Sequence, residues 1–261
     1  MTADWLQRAR AAADAPPAQR RVPLLFGADA APVGSVEPGL GERLAAAGLP
    51  LRRAGAGWRI VEPGDETLAA IARWLHAERV CERWRDELLA VRDADGRRLG
   101  AIERAAVRAL GIATEAVHLD AAAAQGGTWV QLRADSKATD PGLWDTTMGG
   151  QVGHGESIEE TLRRETLEEA GLDIASLRTL RRRDDVLIRR PVAEGYMVER
   201  IVAFGAALAV DVQPVNRDGE VERFERLDDA ALVERLAAGL FTLEATLILG
   251  ARLEQDTGAA R

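Results

Sequence analysis

The sequence predicts an α/β protein built as a smaller α+β unit over residues 1–112 and a larger α/β unit over residues 113–261. Three observations carry that expectation. DELLAVRDADGRRLGAIE, in the first half, is two β-rich runs joined by an Asp-Gly turn, which is a hairpin signal. Apolar residues at helical spacing precede it, as in Leu68, Ile71 and Leu75. After about residue 114 the pattern changes to longer β-rich runs on either side of an acid-rich helix, closed by two further helices.

In chain order, residues 3–14 read as a short helix that Pro16 and Pro17 end. RVPLLFGADAAPVGSV reads as two short strands around a loop. Residues 39–48 and 66–78 have helical spacing, and ERAAVRALGI reads as a short helix after the hairpin. In the second unit TEAVHLDAAA and GTWVQLRAD are strands, DSKATDPGLWD is a loop of turn formers, and a helix is expected over 158–170. β-rich runs follow at 178–190 and 196–212. NRDG is a turn before the strand EVERFERL, and DDAALVERLAAG and 243–255 are helices. No internal repeat or low-complexity linker interrupts the chain.

Composition narrows the function classes. A hydrophobic fraction of 47% over 261 residues suits a globular protein with a real core. A net charge of −8 argues against nucleic acid as a non-specific partner. It also means that an anionic substrate needs arginines or a metal cation to meet it. No window approaches about 18 uninterrupted apolar residues, so no membrane span is expected. The start, MTADWLQRARAAADA, has no apolar run of signal-peptide type. Cys81 is the single cysteine, which excludes an intramolecular disulfide and suits a reducing, cytoplasmic location. The sequence leaves monomer and homodimer open. Lys137 is the single lysine beside 33 arginines.

The most informative stretch is GGQVGHGESIEETLRRETLEEAGLD, Gly149 to Asp173, which carries seven acids. SIEE reads as a capping box, with Ser157 and Glu160 bonding each other's backbone N–H. Gly171 suits the left-handed position that stops the helix. Ile158, Leu162, Thr166 and Ala170 recur every four residues and form the buried stripe. At about 100° per residue, Glu165, Glu168 and Glu169 fall in a fan of about 100° beside that stripe. A merely solvated acidic face would lie opposite it. Oxygen ligands at i, i+3 and i+4 suit Mg²⁺ or Mn²⁺. Gly149, Gly150, Gly153 and Gly155 make a loop where backbone can approach a ligand closely.

These residues resemble the Nudix box, G-x5-E-x7-R-E-U-x-E-E-x-G-U, where U is a bulky aliphatic residue. Gly150, Glu156, Arg164, Glu165, Glu168, Glu169, Gly171 and Leu172 all fall in place, with Thr166 as the one departure. The resemblance implies a Nudix α/β/α sandwich and a metal-dependent hydrolase of a diphosphate linked to another group. It implies Glu165, Glu168, Glu169 and the Gly150 carbonyl as metal ligands, Arg164 as the residue that orients the glutamates, and Glu156 as support for the loop. Glu165 or Glu169 would share in the base function. Such enzymes often add a downstream glutamate, for which Glu220 is the better candidate and Glu222 the lesser. The alternative for both is an exposed acidic strand edge.

Arg133 and Lys137 are candidate substrate contacts, weighed against solvated charges. His154, Trp144 and Tyr196 are weaker candidates, His76 and His118 read as structural, and Trp58, Trp74 and Trp84 read mostly as core. Isopentenyl diphosphate isomerases of this fold need a cysteine and several histidine ligands. Here Cys81 lies far upstream and only His118 and His154 lie in the second half, which argues against isomerase chemistry. Trp129, Val130, Arg133, Lys137, Pro141, Gly142 and Asp145, with the NRDGEVERF run, resemble a Nudix subgroup described as thiamine pyrophosphokinase-related. That resemblance implies hydrolysis of thiamine diphosphate, or its oxidised analogues, to the monophosphate, with an extra N-terminal domain in substrate recognition. No phosphate-binding P-loop is present, so kinase chemistry is not expected. The alternatives are an ADP-ribose or nucleoside-diphosphate-sugar pyrophosphatase, and a Nudix-fold ligand-binding module without turnover.

Overall fold

The computed structural model describes residues 3–28 and 31–259. The first of these is helix α1 (Asp4–Ala13), followed by β1 (Val22–Phe26), β2 (Pro32–Val36), α2 (Pro38–Ala46), β3 (Leu51–Ala54), β4 (Gly57–Ile60) and α3 (Asp65–Ala77). The hairpin is β5 (Leu88–Arg92) and β6 (Arg98–Glu103). The loop between β1 and β2 includes residues 29 and 30, which lie outside the described residues. β3 and β4 are missing from the sequence reading because LRRAGAGWRI has only four residues per strand, too few to show a period. ERAAVRALGI makes only a three-residue 3₁₀ turn, Arg104–Ala106, because it is too short to repay helix nucleation.

β1 to β4 form one sheet in the order β2-β1-β4-β3, with β1 and β4 parallel. α2 and α3 cover it, and its core runs from Val22 to Ile112. Trp58 is buried in that core, whereas Trp84 is 36% exposed and bonds Asp86 through its indole N–H, which corrects its reading as core.

The second unit contains β7 (Ala113–Ala122), β8 (Thr128–Arg133), β9 (Trp144–Asp145), β10 (Met148–Gln151), α4 (Ile158–Ala170), β11 (Arg178–Arg182), β12 (Val186–Val192), β13 (Gly195–Ala207), β14 (Val221–Leu227), α5 (Asp229–Ala237) and α6 (Leu243–Ala259). The strands form one eight-stranded sheet along β11-β13-β7-β8-β14, with β10, β12 and β9 paired to β7, β13 and β8. β7 and β13 are parallel over ten residue pairs.

Alternation along these two strands builds the layers. Val117, Leu119, Val202 and Phe204 pack with Leu162 and Ala170 of α4. Ala116, Ile201 and Ala203 pack on the opposite side with Leu247 and Ile248 of α6. The result is the expected α/β/α sandwich beside a smaller unit.

Helix α1 packs with α6 and β12, not with the sheet of the first unit that follows it. Leu6 is the reason: it is 1% exposed and lies where a side chain on Gly250 of α6 would stand. Leu6→Ala is expected to lower the stability of the whole chain by about 2–4 kcal/mol, since it opens a cavity between two helices. Urea unfolding measures this.

Candidate active site

α4 runs over the expected residues because its ends are specified locally. The Ser157 hydroxyl accepts from the Glu160 N–H, and the Glu160 carboxylate accepts from the Ser157 N–H. Gly171 takes φ 64° at the other end. Thr166 is fully buried in the stripe, its hydroxyl without a partner among the described residues. Burial then grades the three glutamates: the Glu169 side chain is 1% exposed, Glu165 15% and Glu168 50%.

Two cations hold these acids. Arg164 donates from Nε and Nη2 to both oxygens of Glu156, at 2.6 and 2.8 Å. Its Nη1 reaches Glu165 at 2.8 Å and Glu168 at 3.0 Å. Glu156 also accepts from the Thr161 hydroxyl and the Gly153 N–H, so it ties the loop to the helix. Hydrogen bonds from Arg164 hold the Glu156 carboxyl down to about 2.

Glu169 accepts from Gln131 Nε2 and the Gly149 N–H, both at 3.1 Å, and from Lys137 Nζ at 3.2 Å. Lys137 also contacts Glu220. Lys137 is therefore a largely buried cation between two carboxylates, not the solvated charge weighed against it. Burial works against its ammonium, but Glu169 and Glu220 outweigh that and raise its pKa.

The Gly150 backbone passes so close to Glu165 that a Cβ there would stand well under 3.0 Å from the carboxyl group. The Glu165 carboxyl is pushed up to about 7, first by burial and then by Glu169 and Glu168, against the pull of Arg164. Burial raises Glu169 as well, against Lys137. As they stand, no three His, Cys, Asp or Glu among the described residues are close enough to hold an ion. Arg164 draws Glu165 and Glu168 one way, and Lys137 draws Glu169 and Glu220 the other.

The raised Glu165 gives a stability test with a definite sign. At low pH it is protonated folded and unfolded, and contributes no difference. Between the ordinary glutamate value of about 4.3 and 7 the unfolded chain ionises first, so the metal-free fold loses stability as pH rises. The advantage of Glu165→Gln over the parent is expected to grow by about 3 kcal/mol from pH 4 to pH 8. Urea unfolding across that range, with chelator present, measures it.

The other candidates fall differently. Arg133 is engaged: it donates to the Thr139 and Asp140 carbonyls and to Asp145, pinning the 134–142 loop. It lines the cleft, but its donors face the protein, which changes its expected role from contact to support. A bulge between Val221 and Arg223 takes Glu222 out of register with β8, and its side chain is exposed. The guanidiniums of Arg223 and Arg235 both lie over the Trp144 ring, and Tyr196 donates to the Ala15 carbonyl, so both aromatics serve packing. His118 is buried against the Thr146 hydroxyl, and burial lowers its pKa, which keeps it neutral. His154 joins the loop to the hairpin through its N–H to the Leu88 carbonyl and its ring to Arg98.

Glu156, Arg164, Glu165, Glu168, Glu169, Lys137 and Glu220 line a cleft of about 1340 Å³ between the two units. The first unit supplies Arg79, Arg85 and Arg108, which the sequence reading missed. Cys81 also lines it, although it lies far from α4 in sequence. Sequence distance was therefore no argument against it. Its thiol is buried, and burial pushes its pKa up.

With this geometry in view, the comparisons with known proteins are consistent. A family model described as "NUDIX domain" matches residues 114–245. Nudix hydrolase 24, chloroplastic, of Arabidopsis thaliana is 33% identical over 137 residues, 47% of this chain and 34% of that protein. The isopentenyl-diphosphate Delta-isomerase of Leifsonia xyli is 32% identical over 114 residues, 43% of this chain and 60% of that one. A crystal structure of a Deinococcus radiodurans protein superposes with a TM-score of 0.52 and 25% identity, covering 64% of this chain and 98% of that one. The chain spans between 34% and 63% of the length of the first curated relatives it matches. No described helix is long and apolar enough to cross a membrane.

Proposed function

Because the chain belongs to the NUDIX domain family, we propose that it is a pyrophosphohydrolase that uses Mg²⁺ or Mn²⁺ to cleave a small organic diphosphate. The leading substrate reading is thiamine diphosphate or its oxidised analogues, cleaved to the monophosphate. The observation that supports it most is the pair of largely buried carboxylates, Glu165 and Glu169, against the Gly150 backbone, with a lysine ammonium already on Glu169. A pocket that pushes Glu165 up to about 7 is short of positive charge, and hard oxygen donors suit these ions. Gly150, Glu165, Glu168 and Glu169 would hold the ion, with Glu220 beside them. Once bound, such an ion neutralises the diphosphate and lowers the pKa of a coordinated water.

The chain's own residues have the remaining roles. Glu165 or Glu169 takes the proton from the attacking water. Water adds to a phosphorus, the bridging P–O bond breaks, and monophosphate and inorganic phosphate leave. Arg164 orients Glu165 and Glu168, and Lys137 turns from Glu169 to a phosphate oxygen. Residues 1–112 act as a recognition unit, contributing arginines to the cleft and helix α1 to the larger core. Isomerase chemistry is disfavoured because the Cys81 thiol is held protonated, His118 is engaged by Thr146, and Arg98 meets both ring nitrogens of His154.

The test is the purified chain with Mg²⁺ or Mn²⁺ against thiamine diphosphate, oxythiamine diphosphate, ADP-ribose and a nucleoside-diphosphate sugar. Thiamine and oxythiamine monophosphates with inorganic phosphate are expected as the fastest products. Faster ADP-ribose cleavage would move the assignment to the nucleotide-sugar alternative, and an intact panel would end the hydrolase reading.

A further inference from the structure

Two carboxylates in the same cleft have no part in that chemistry. Glu199 lies on β13 and Glu244 in the first turn of α6. Glu199 is 4% exposed, and its Oε1 accepts from Arg108 Nη2, Thr114 Oγ1 and Gln151 Nε2 at 2.7, 2.8 and 2.6 Å. Its Oε2 accepts nothing among the described residues. Gln151 is oriented by its bond to Glu199, which leaves its own Oε1 buried without a partner. Glu244 makes no ion pair or side-chain hydrogen bond with another described residue. Burial, and after it Glu199, pushes its carboxyl up to about 7. Arg190 lies beside it with its Nε buried and unpartnered.

Structural carboxylates are normally matched by donors, as Glu156 is by Arg164, the Thr161 hydroxyl and the Gly153 N–H. Here Gln151 Oε1 and Arg190 Nε are buried without a partner, Glu199 Oε2 has no donor among the described residues, and Glu244 meets only its own backbone N–H, around a cleft that a ligand can enter. Gln151 follows Gly150 directly, so this end of the cleft adjoins the diphosphate end.

We propose that Glu199, Glu244 and Gln151 form a subsite for the organic part of the substrate, and that it takes an amino-bearing or cationic nitrogen heterocycle. N–H groups or positive charge satisfy the acceptors, and a ring nitrogen meets the Arg190 N–H. A neutral sugar or alkyl group leaves buried polar atoms unmatched and is discriminated against. The subsite rests on the hydrolase reading only for which group lies at the other end of the cleft.

Calorimetry on the full chain tests it without turnover, using thiamine monophosphate, AMP and ribose 5-phosphate. Both nitrogen heterocycles are expected to bind at least about tenfold tighter than ribose 5-phosphate. Glu244→Gln is expected to cut that preference to about threefold or less, and Glu244→Asp, which keeps the charge, to restore part of it. A preference for thiamine monophosphate alone supports the subsite as a reader of positive charge. Equal binding of all three ligands, or an undiminished preference in folded Glu244→Gln, overturns it. A chain that hydrolyses nothing yet shows the preference keeps the subsite and loses the hydrolase.

Discussion

Glu169→Gln is expected to lower kcat by on the order of 10³-fold, about 4 kcal/mol of transition-state stabilisation. The residue is the most buried of the three glutamates, and each of its oxygens already faces a donor. Glutamine keeps the shape but removes the charge, and its amide NH₂ must face Gln131, Gly149 or Lys137. Pre-steady-state and steady-state assays on the best substrate of the panel measure the loss. A second readout separates this from simple unfolding. Mg²⁺ or Mn²⁺ is expected to raise the melting temperature of the parent, because a ligand that binds only the folded chain stabilises it by mass action. The variant is expected to lose most of that rise, whatever its own melting temperature without metal. A parent that melts identically with and without these ions would count against the pocket as a cation site.

Gly150→Ala is the second large effect. Its Cβ would enter the Glu165 carboxyl group, in a place where the neighbour is held by Arg164 and by burial. Either Glu165 leaves the pocket or β10 moves away from β7. Overpacking of this kind costs about 1–3 kcal/mol, and activity is expected to fall by about 10²-fold or more. Gly39→Ala is the matched control. Its Cβ meets nothing within 4 Å, and it lies in α2, where alanine stabilises a helix by roughly 0.5–1 kcal/mol. Both variants are read by urea unfolding and by turnover. A Gly150→Ala enzyme with parental activity would show that Glu165 does not need that approach.

The same close approach shows what the sequence holds and where it stops. The limits of α4, its capping box, its stop at Gly171 and the fan of glutamates beside the buried stripe depend on contacts three and four residues apart. Those are readable from spacing alone. The alternation that faces Val117 and Val202 toward α4, and Ala116 and Ile201 toward α6, is likewise local.

The roles of Lys137 and Arg133 were not readable in this way. Their neighbours look alike in sequence, yet one reaches Glu169 across 32 residues and the other folds back on its own loop. Helix α1 precedes the smaller unit but belongs to the larger core, and Cys81 meets the cleft from the opposite half of the chain. Glu199 and Glu244 show the same limit: one lies on a strand and the other on the final helix, and nothing in the spacing of either marks a site. Local periodicity specifies elements and faces, because those follow from backbone geometry. Which side chains meet across a cleft follows from how the layers stack, and only the tertiary structure decides that.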